Sequence, residues 1–143
     1  MNILRESSTK RFLPLLLGVF TLVFSSLACL TARPDTSLEN LRMAHDENGE
    51  DVTSIFSNTN DFYAVVELNN ATQETVVKAV WTAVDVAGTD PDYEVREHTL
   101  NTTEASFSGT IYFQLSNDEI WPAGLYRVDM YLNDTLYQSL EFS

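Results

Sequence analysis

The sequence is short of cysteine and of basic residues, and each shortage excludes a class of protein. Cys29 is the one cysteine among 143 residues, so no disulfide can form within the chain and the core must hold by packing alone. The 8 Lys and Arg side chains are outnumbered by 21 Asp and Glu, which gives a formal charge of −13. Nucleic acids are bound by basic surfaces, so we expect no nucleic-acid partner.

Histidines and nucleophile motifs are scarce as well. His45 and His98 are the two histidines, and neither has a Cys, a His or paired carboxylates at metal-ligand spacing. No G-x-S-x-G motif occurs. Adjacent acids are frequent only because acids are numerous, so they do not indicate a glycosidase couple. We therefore expect a protein without a cofactor and without catalytic activity.

The most distinctive feature that is present is an uncharged apolar segment of 21 residues, 12–32, which follows Arg5, Lys10 and Arg11. A basic start, an apolar run and small residues at its end are typical of an export signal. Within it, Ser26-Leu27-Ala28-Cys29 resembles a bacterial lipobox. The resemblance implies that Cys29 is lipidated and becomes the new N-terminus, with residues 1–28 a lipoprotein-type signal peptide and residues 29–37 a tether.

Two alternatives stay open for this segment. Cleavage after Ala28 by ordinary signal peptidase would release the protein, whereas an uncleaved segment could span a bilayer, for which about 20 apolar residues suffice. All three interpretations predict that the rest of the chain lies outside the cytoplasm. Residues 29–143 carry 5 Lys and Arg and 20 Asp and Glu, a formal charge of −15 that favours solubility.

The remaining chain has the pattern of short strands. No apolar stretch keeps a period of 3.6 residues over three turns; runs rich in Val, Tyr, Phe and Thr alternate instead with Asn, Asp, Gly and Pro. The predicted strands are residues 38–45, 61–68, 76–86, 93–100, 109–115, 124–132 and 135–142. This spacing predicts that residues 38–143 form one all-β domain, a seven-stranded antiparallel sandwich of two sheets.

Two segments resemble the immunoglobulin-like fold: Trp81 on the third strand and Gly124-Leu125-Tyr126-Arg127-Val128 near the sixth. The run from Trp121 to Tyr126, followed by YLNDTL, is similar to the C-terminal hairpin of such domains in small exported bacterial lipoproteins. The resemblance implies core positions for Trp81, Tyr126 and Val128, and a tyrosine corner in which the Tyr126 hydroxyl bonds back to the preceding loop. Val128 occupies the place of the second core cysteine, which implies a disulfide-free relative.

The last predicted hairpin turns at Asn133-Asp134 and poses a problem of register. A regular two-residue turn would point Leu140 and Phe142 away from the core, because a slip of one residue exchanges the two faces of a strand. We therefore predict either a three-residue loop or a two-residue turn with a β-bulge in the final strand.

Exposed aromatic residues suggest a binding surface. Tyr63 and Tyr112 fall in the outward phase of two strands that pair in an immunoglobulin-like sheet, Trp121 lies in the loop before the sixth strand, and Tyr131 points outward beyond it. Planar rings on a rigid face are typical of sugar-binding modules. Cross-strand aromatic pairs also stabilise sheets without any ligand, and Trp121 could equally cover the open end of the sandwich.

An acidic segment, Asp46 to Asp51, is the candidate metal site. Oxygens from Asp46, Asn48, Glu50 and Asp51 around a glycine turn have the hardness that calcium prefers. The twelfth position of the segment is Ser57 and not the glutamate of an EF-hand, so a solvated turn between two strands is the alternative.

The sequence thus predicts a non-catalytic binding or structural module displayed at the cell envelope. We expect it to be held to a membrane by a lipid or signal anchor and to have a protein partner in the envelope. A carbohydrate-binding domain that uses the exposed aromatics is the first alternative, and a small extracytoplasmic hydrolase is the second.

Overall fold

The computed structural model describes residues 34–143, which form seven antiparallel strands arranged in two sheets. The strands are β1 (Ser37–Ala44), β2 (Phe62–Ala71), β3 (Val76–Val86), β4 (Tyr93–Asn101), β5 (Phe107–Leu115), β6 (Gly124–Leu132) and β7 (Thr135–Phe142). Within residues 34–143 no helix is long and apolar enough to cross a membrane. The predicted all-β sandwich is confirmed. The predicted signal peptide and the lipidation of Cys29 concern residues outside those described.

The two sheets contain three and four strands, in the orders β1-β2-β5 and β4-β3-β6-β7. Their apolar faces meet in a core that contains Leu68, Val77 and Val128, all fully buried. Trp81 and Tyr126 are only 1% and 5% exposed, which confirms that they are core residues. Strand β4 pairs with β3, so β5 is left as an edge of the three-stranded sheet.

The hairpin between β6 and β7 solves its register problem with a bulge. Asn133 and Asp134 have φ of 47° and 63°, as the two central residues of a type I′ turn require, and Leu132 pairs with Thr135. The pairing then shifts by one residue at Tyr137, so that Leu140 and Phe142 lie opposite Val128 and Tyr126. The predicted two-residue turn with a β-bulge in the final strand is confirmed, and the bulge keeps Phe142 in the core.

Because successive strands run in opposite directions, the connections between them alternate between the two ends of the sandwich. We call one the loop end, which contains residues 45–61, 87–92 and 116–123. The other is the entry end, where the described chain begins at Pro34 beside the connections 72–75, 102–106 and 133–134. The Thr36 hydroxyl donates to the Asn70 carbonyl at this end, and the backbone N–H of Asn133 donates to the Val76 carbonyl.

A short segment, residues 51–56, connects the edge of one sheet to the edge of the other at the loop end. Val52 forms an isolated bridge with Ala44 at the end of β1. Ser143, directly after β7, donates its N–H to the Ser54 carbonyl and accepts the N–H of Phe56 at 2.7 Å. The segment therefore covers the loop-end portions of both β1 and β7.

Candidate functional site

The acidic segment is organised by its own backbone and by one arginine. The Asp46 carboxylate accepts the backbone N–H groups of Asn48, Glu50 and Asp51, with a shortest distance of 2.7 Å. The Arg42 guanidinium enters from β1 and donates to the Gly49 and Asn48 carbonyls, each at 3.0 Å. The Arg42 guanidinium thus occupies two backbone carbonyl oxygens of the turn.

Charge in this turn is stabilised locally. The pKa of Asp46 is lowered, mainly because the Asp51 N–H favours the ionised carboxylate, with further help from the Glu50 and Asn48 N–H groups. Among residues 34–143 no three His, Cys, Asp or Glu side chains are grouped closely enough to share a metal ion. The predicted calcium ligands all lie in one turn. The Asp46 carboxylate there accepts backbone N–H groups of the same turn.

The outer face of the three-stranded sheet carries the predicted tyrosine pair. Tyr63 and Tyr112 have ring centroids 6.0 Å apart at an interplanar angle of 55°. Burial, followed by the charge of Asp61, raises the pKa of Tyr63, so its hydroxyl stays protonated. Val65, which alternation places on the solvent face, is fully buried there, because Arg42 and Tyr112 lie opposite it on the two neighbouring strands.

The other two predicted binding aromatics lie elsewhere. Tyr131 is on the outer face of the four-stranded sheet, with the Lys78 ammonium 5.1 Å from its ring centroid. Trp121 is 9% exposed, stacks on Phe62 at 4.7 Å between centroids, and donates its indole N–H to the Asn60 carbonyl at 2.9 Å. The four aromatics therefore do not form one surface, and Trp121 is part of the core at the loop end.

Trp121 belongs to an aromatic cluster that closes the sandwich at the loop end. Phe62 contacts Trp121, Phe56 and Phe142 with centroid separations of 4.7, 5.0 and 4.9 Å. Tyr126 stacks on Phe142 at 5.6 Å and donates its hydroxyl to the Pro122 carbonyl. These packed aromatic rings thus support the loops at this end.

Several large apolar side chains at the loop end are exposed to solvent. The four most exposed in residues 34–143 are Ile55 at 73%, Ile120 at 63% and Val52 at 60%, all in loop-end connections, and Tyr93 at 56%, the first residue of β4 after the loop-end connection 87–92. We call these four residues the loop-end patch. A groove of about 300 Å³ beside Ile55 is lined by Phe56, Asn58, Trp121 and Pro122. Of the four residues of the patch, Ile55 is the one that lines this groove.

Acidic residues flank the loop-end patch. Asp118 and Glu119 precede Ile120, Asp51 precedes Val52, and Asp92 precedes Tyr93. Residues 34–143 contain 4 Lys and Arg against 20 Asp and Glu, a formal charge of −16. Three of the four residues of the patch, Val52, Tyr93 and Ile120, therefore follow an acidic residue directly in the chain.

The histidines lie in separate elements, His45 directly after β1 and His98 on β4. His45 contacts the Asp51 carboxylate at 3.0 Å and packs edge-on against Phe56. His98 lies on the edge strand β4 opposite the core residue Ala79, and its Nδ1 is buried without a partner among the described residues. Burial, and then the charge of Arg96, lower the pKa of His98.

One charged side chain is buried within residues 34–143, on the outer face of the four-stranded sheet. Asp129 is held by the Arg127 Nε, 3.0 Å from one carboxylate oxygen, and accepts a hydrogen bond from the Ser139 hydroxyl. The same carboxylate raises the pKa of Arg127. These contacts form a satisfied ion pair on the sheet.

Sequence reasoning did not identify the loop-end patch as a site. Ile55 stands between Ser54 and Phe56, and Ile120 follows Asp118 and Glu119, so neither lies in an apolar run that would indicate a site. Comparison with known proteins adds no family to this geometry: no protein-family model matches the chain, and no curated protein matches its sequence.

Proposed function

We propose that this chain is an exported, non-catalytic binding module of the immunoglobulin-like class, held at the cell envelope by its N-terminal segment, and that it binds a protein partner through the loop-end patch. The strand orders β1-β2-β5 and β4-β3-β6-β7 and the hydrogen bond from Tyr126 to Pro122 support the immunoglobulin-like assignment. The apolar export segment and the lipobox-like Ser26 to Cys29 support the attachment.

The observation that carries the binding proposal is the location of the exposed apolar residues. Burying them in the sandwich would have been favourable by about 25 cal/mol per Å² of apolar surface, yet Ile55 and Ile120 remain in water. They lie at the end of the sandwich opposite Pro34, where the described chain begins.

The charges around the loop-end patch define the partner. A protein surface with an apolar centre and a margin of Lys and Arg would complement Ile55 and Ile120 with Asp118 and Glu119 beside them. A module concentrated at a surface needs only modest affinity, because tethering raises its effective concentration.

Site-directed photo-crosslinking of the full chain in the membrane of the cell that produces it tests this proposal. A photoreactive residue replaces Ile55 in one variant and Leu136 in another, because Leu136 is 51% exposed but lies at the entry end. We expect a discrete protein adduct from position 55, its loss when Ile120→Asp is added, and no adduct from position 136. Equal adducts from both positions, or none from position 55, would contradict the proposal.

A second candidate function is supported by the Tyr63–Tyr112 pair. Beside the two rings, the Gln114 amide donates to the Asp61 carboxylate at 2.7 Å, which adds a fixed polar group to an aromatic face. A sugar ligand would make the mobility of the protein in polysaccharide-containing gels depend on Tyr112. If Tyr112→Ala abolishes such retardation while Tyr131→Ala does not, the carbohydrate-binding alternative is supported.

A further inference from the structure

The four edge strands of the sandwich differ in how they are protected against pairing. β4 carries Glu94, Arg96 and Glu97 and has a bulge at Val95. Charges and bulges are the common means by which sheet edges avoid added strands. β4 is therefore a well-protected edge.

The edges β1 and β7 are protected by other means. β1 shifts register at Asn40, whose φ is 52°, and its end is paired with Val52. β7 contains the bulge at Tyr137. Ser143, the first residue after this strand, forms backbone hydrogen bonds with the segment 51–56. Each of these strands is thus irregular and partly covered.

β5 has none of these protections. Phe107–Leu115 contains no charged residue, and from Gly109 to Leu115 it pairs with β2 in unbroken register. β2 is its one pairing partner among the described residues. A regular, uncharged run rich in β-branched and aromatic residues presents a row of free backbone donors and acceptors.

The side of the sandwich next to β5 is also open. A groove of about 190 Å³ lies there between the end of β4 and the start of β5, and its apolar lining comes from Leu100, Phe107 and Ile111. A fourth strand beside β5 would bring alternate side chains over this groove, since side chains of a strand alternate between the two faces of a sheet. Glu104 lies at the rim of the groove.

We propose that β5 accepts an extended basic segment of a partner protein, which adds a fourth strand to the three-stranded sheet and places its apolar side chains in the groove beside Ile111. Charge identifies the occupant as a partner segment and not a second copy of this chain. A second copy would bring the −16 of its own residues 34–143 to an edge already flanked by Glu67 and Glu104. Strand addition draws affinity from main-chain hydrogen bonds and specificity from alternate side chains.

This surface is separate from the loop-end patch, so the two proposals stand or fall independently. The test uses the whole chain and three synthetic peptides of nine residues, as long as β5. The first alternates Val with Lys or Thr, the second has Glu in place of Lys, and the third is the first with every backbone amide methylated. Amide hydrogen exchange, resolved by residue, is measured with and without each peptide.

With the first peptide we expect exchange in β5 to slow by about tenfold at a concentration about ten times its dissociation constant. The Glu peptide and the methylated peptide should leave β5 unprotected, because one lacks the charge and the other the hydrogen-bond donors. Thr110→Arg on β5 should weaken binding about threefold or more, whereas Thr99→Arg on β4 should not.

Four results would overturn the proposal. These are no protection of β5 by the Lys peptide, equal protection by the methylated peptide, protection of β4 or β7 in place of β5, and protection of β5 that rises with protein concentration alone. The last would identify a second copy of the chain as the occupant.

Discussion

The hydroxyl of Tyr126 donates a hydrogen bond of 2.7 Å to the carbonyl of Pro122, four residues upstream. This bond fixes the loop that carries Ile120 and Trp121 to the start of strand β6. It therefore connects the buried aromatic cluster to the exposed loop-end patch.

Removing this hydroxyl should loosen the loop without disturbing the core. Tyr126→Phe should lower the free energy of unfolding by about 1–2 kcal/mol, because the Pro122 carbonyl loses a partner in a partly buried site. Urea titration measures the change, with an unaltered m-value. Tyr137→Phe, at a half-exposed ring of β7, is the matched control and should change the free energy by less than about 0.5 kcal/mol. Equal effects would show that the Tyr126 bond contributes nothing.

Two glycines with similar backbone geometry test the role of Arg42. Gly49 and Gly88 have φ of 70° and 80°, so Ala at either position should cost about 1–2 kcal/mol for the left-handed conformation. A Cβ at Gly88 would meet nothing within 4 Å, whereas one at Gly49 would collide with the Arg42 guanidinium. Gly49→Ala should therefore be more destabilising by at least about 1 kcal/mol, since Arg42 must give up charged hydrogen bonds. Identical unfolding midpoints for the two variants would contradict this account of the acidic turn.

Trp81 tests the packing of the two sheets. Its ring is buried in β3 and meets Phe142 of β7 edge-on at 6.0 Å. Trp81→Ala should cost about 3–5 kcal/mol in chemical denaturation, as is typical for a large aromatic side chain removed from a core. A loss below about 1 kcal/mol would mean that the sheets do not depend on this contact.

His98 should make stability depend on pH in a defined direction. Its pKa is lower in the folded protein than the usual 6.5, so the unfolded chain binds more protons in the interval below 6.5. The contribution is fully present above 6.5 and is lost as the pH falls through 6.5 towards the folded pKa. His98→Gln should flatten the pH dependence of the urea midpoint in that interval, with His45→Gln as the matched substitution. An unchanged slope in His98→Gln would contradict the burial of its ring.

The fold could be predicted where alternation along a single strand determines which of its residues face the core. Leu140 and Phe142 had to face the core together with Val128 and Tyr126, and that requirement left two solutions, a three-residue loop or a bulge in β7, of which the structure has the bulge. Pairing between distant strands left no comparable signal. Alternation along β2 suggests that Val65 is exposed, and only the presence of Arg42 and Tyr112 on either side buries it.

The candidate site was harder to predict than the fold for the same reason. Trp121 is buried because its backbone N–H donates to Asn58, and its indole to Asn60, in a loop about sixty positions earlier. Sequence spacing does not encode a contact between two loops. Which strands form the sheet edges was likewise not encoded in the spacing. Strand β4 pairs with β3, and β5 is therefore left at the edge of the three-stranded sheet.

Substitution of Cys29 tests most directly whether this domain works attached to the envelope. Cys29→Ser should abolish incorporation of labelled palmitate and prevent normal maturation, while the wild-type chain carries the label and fractionates with the membrane. Several acyl chains would hold the domain stably, because each buried CH₂ contributes about 0.8 kcal/mol. An unchanged soluble product cut after Ala28 in both forms, or full-length protein in the membrane in both forms, would contradict the lipid anchor.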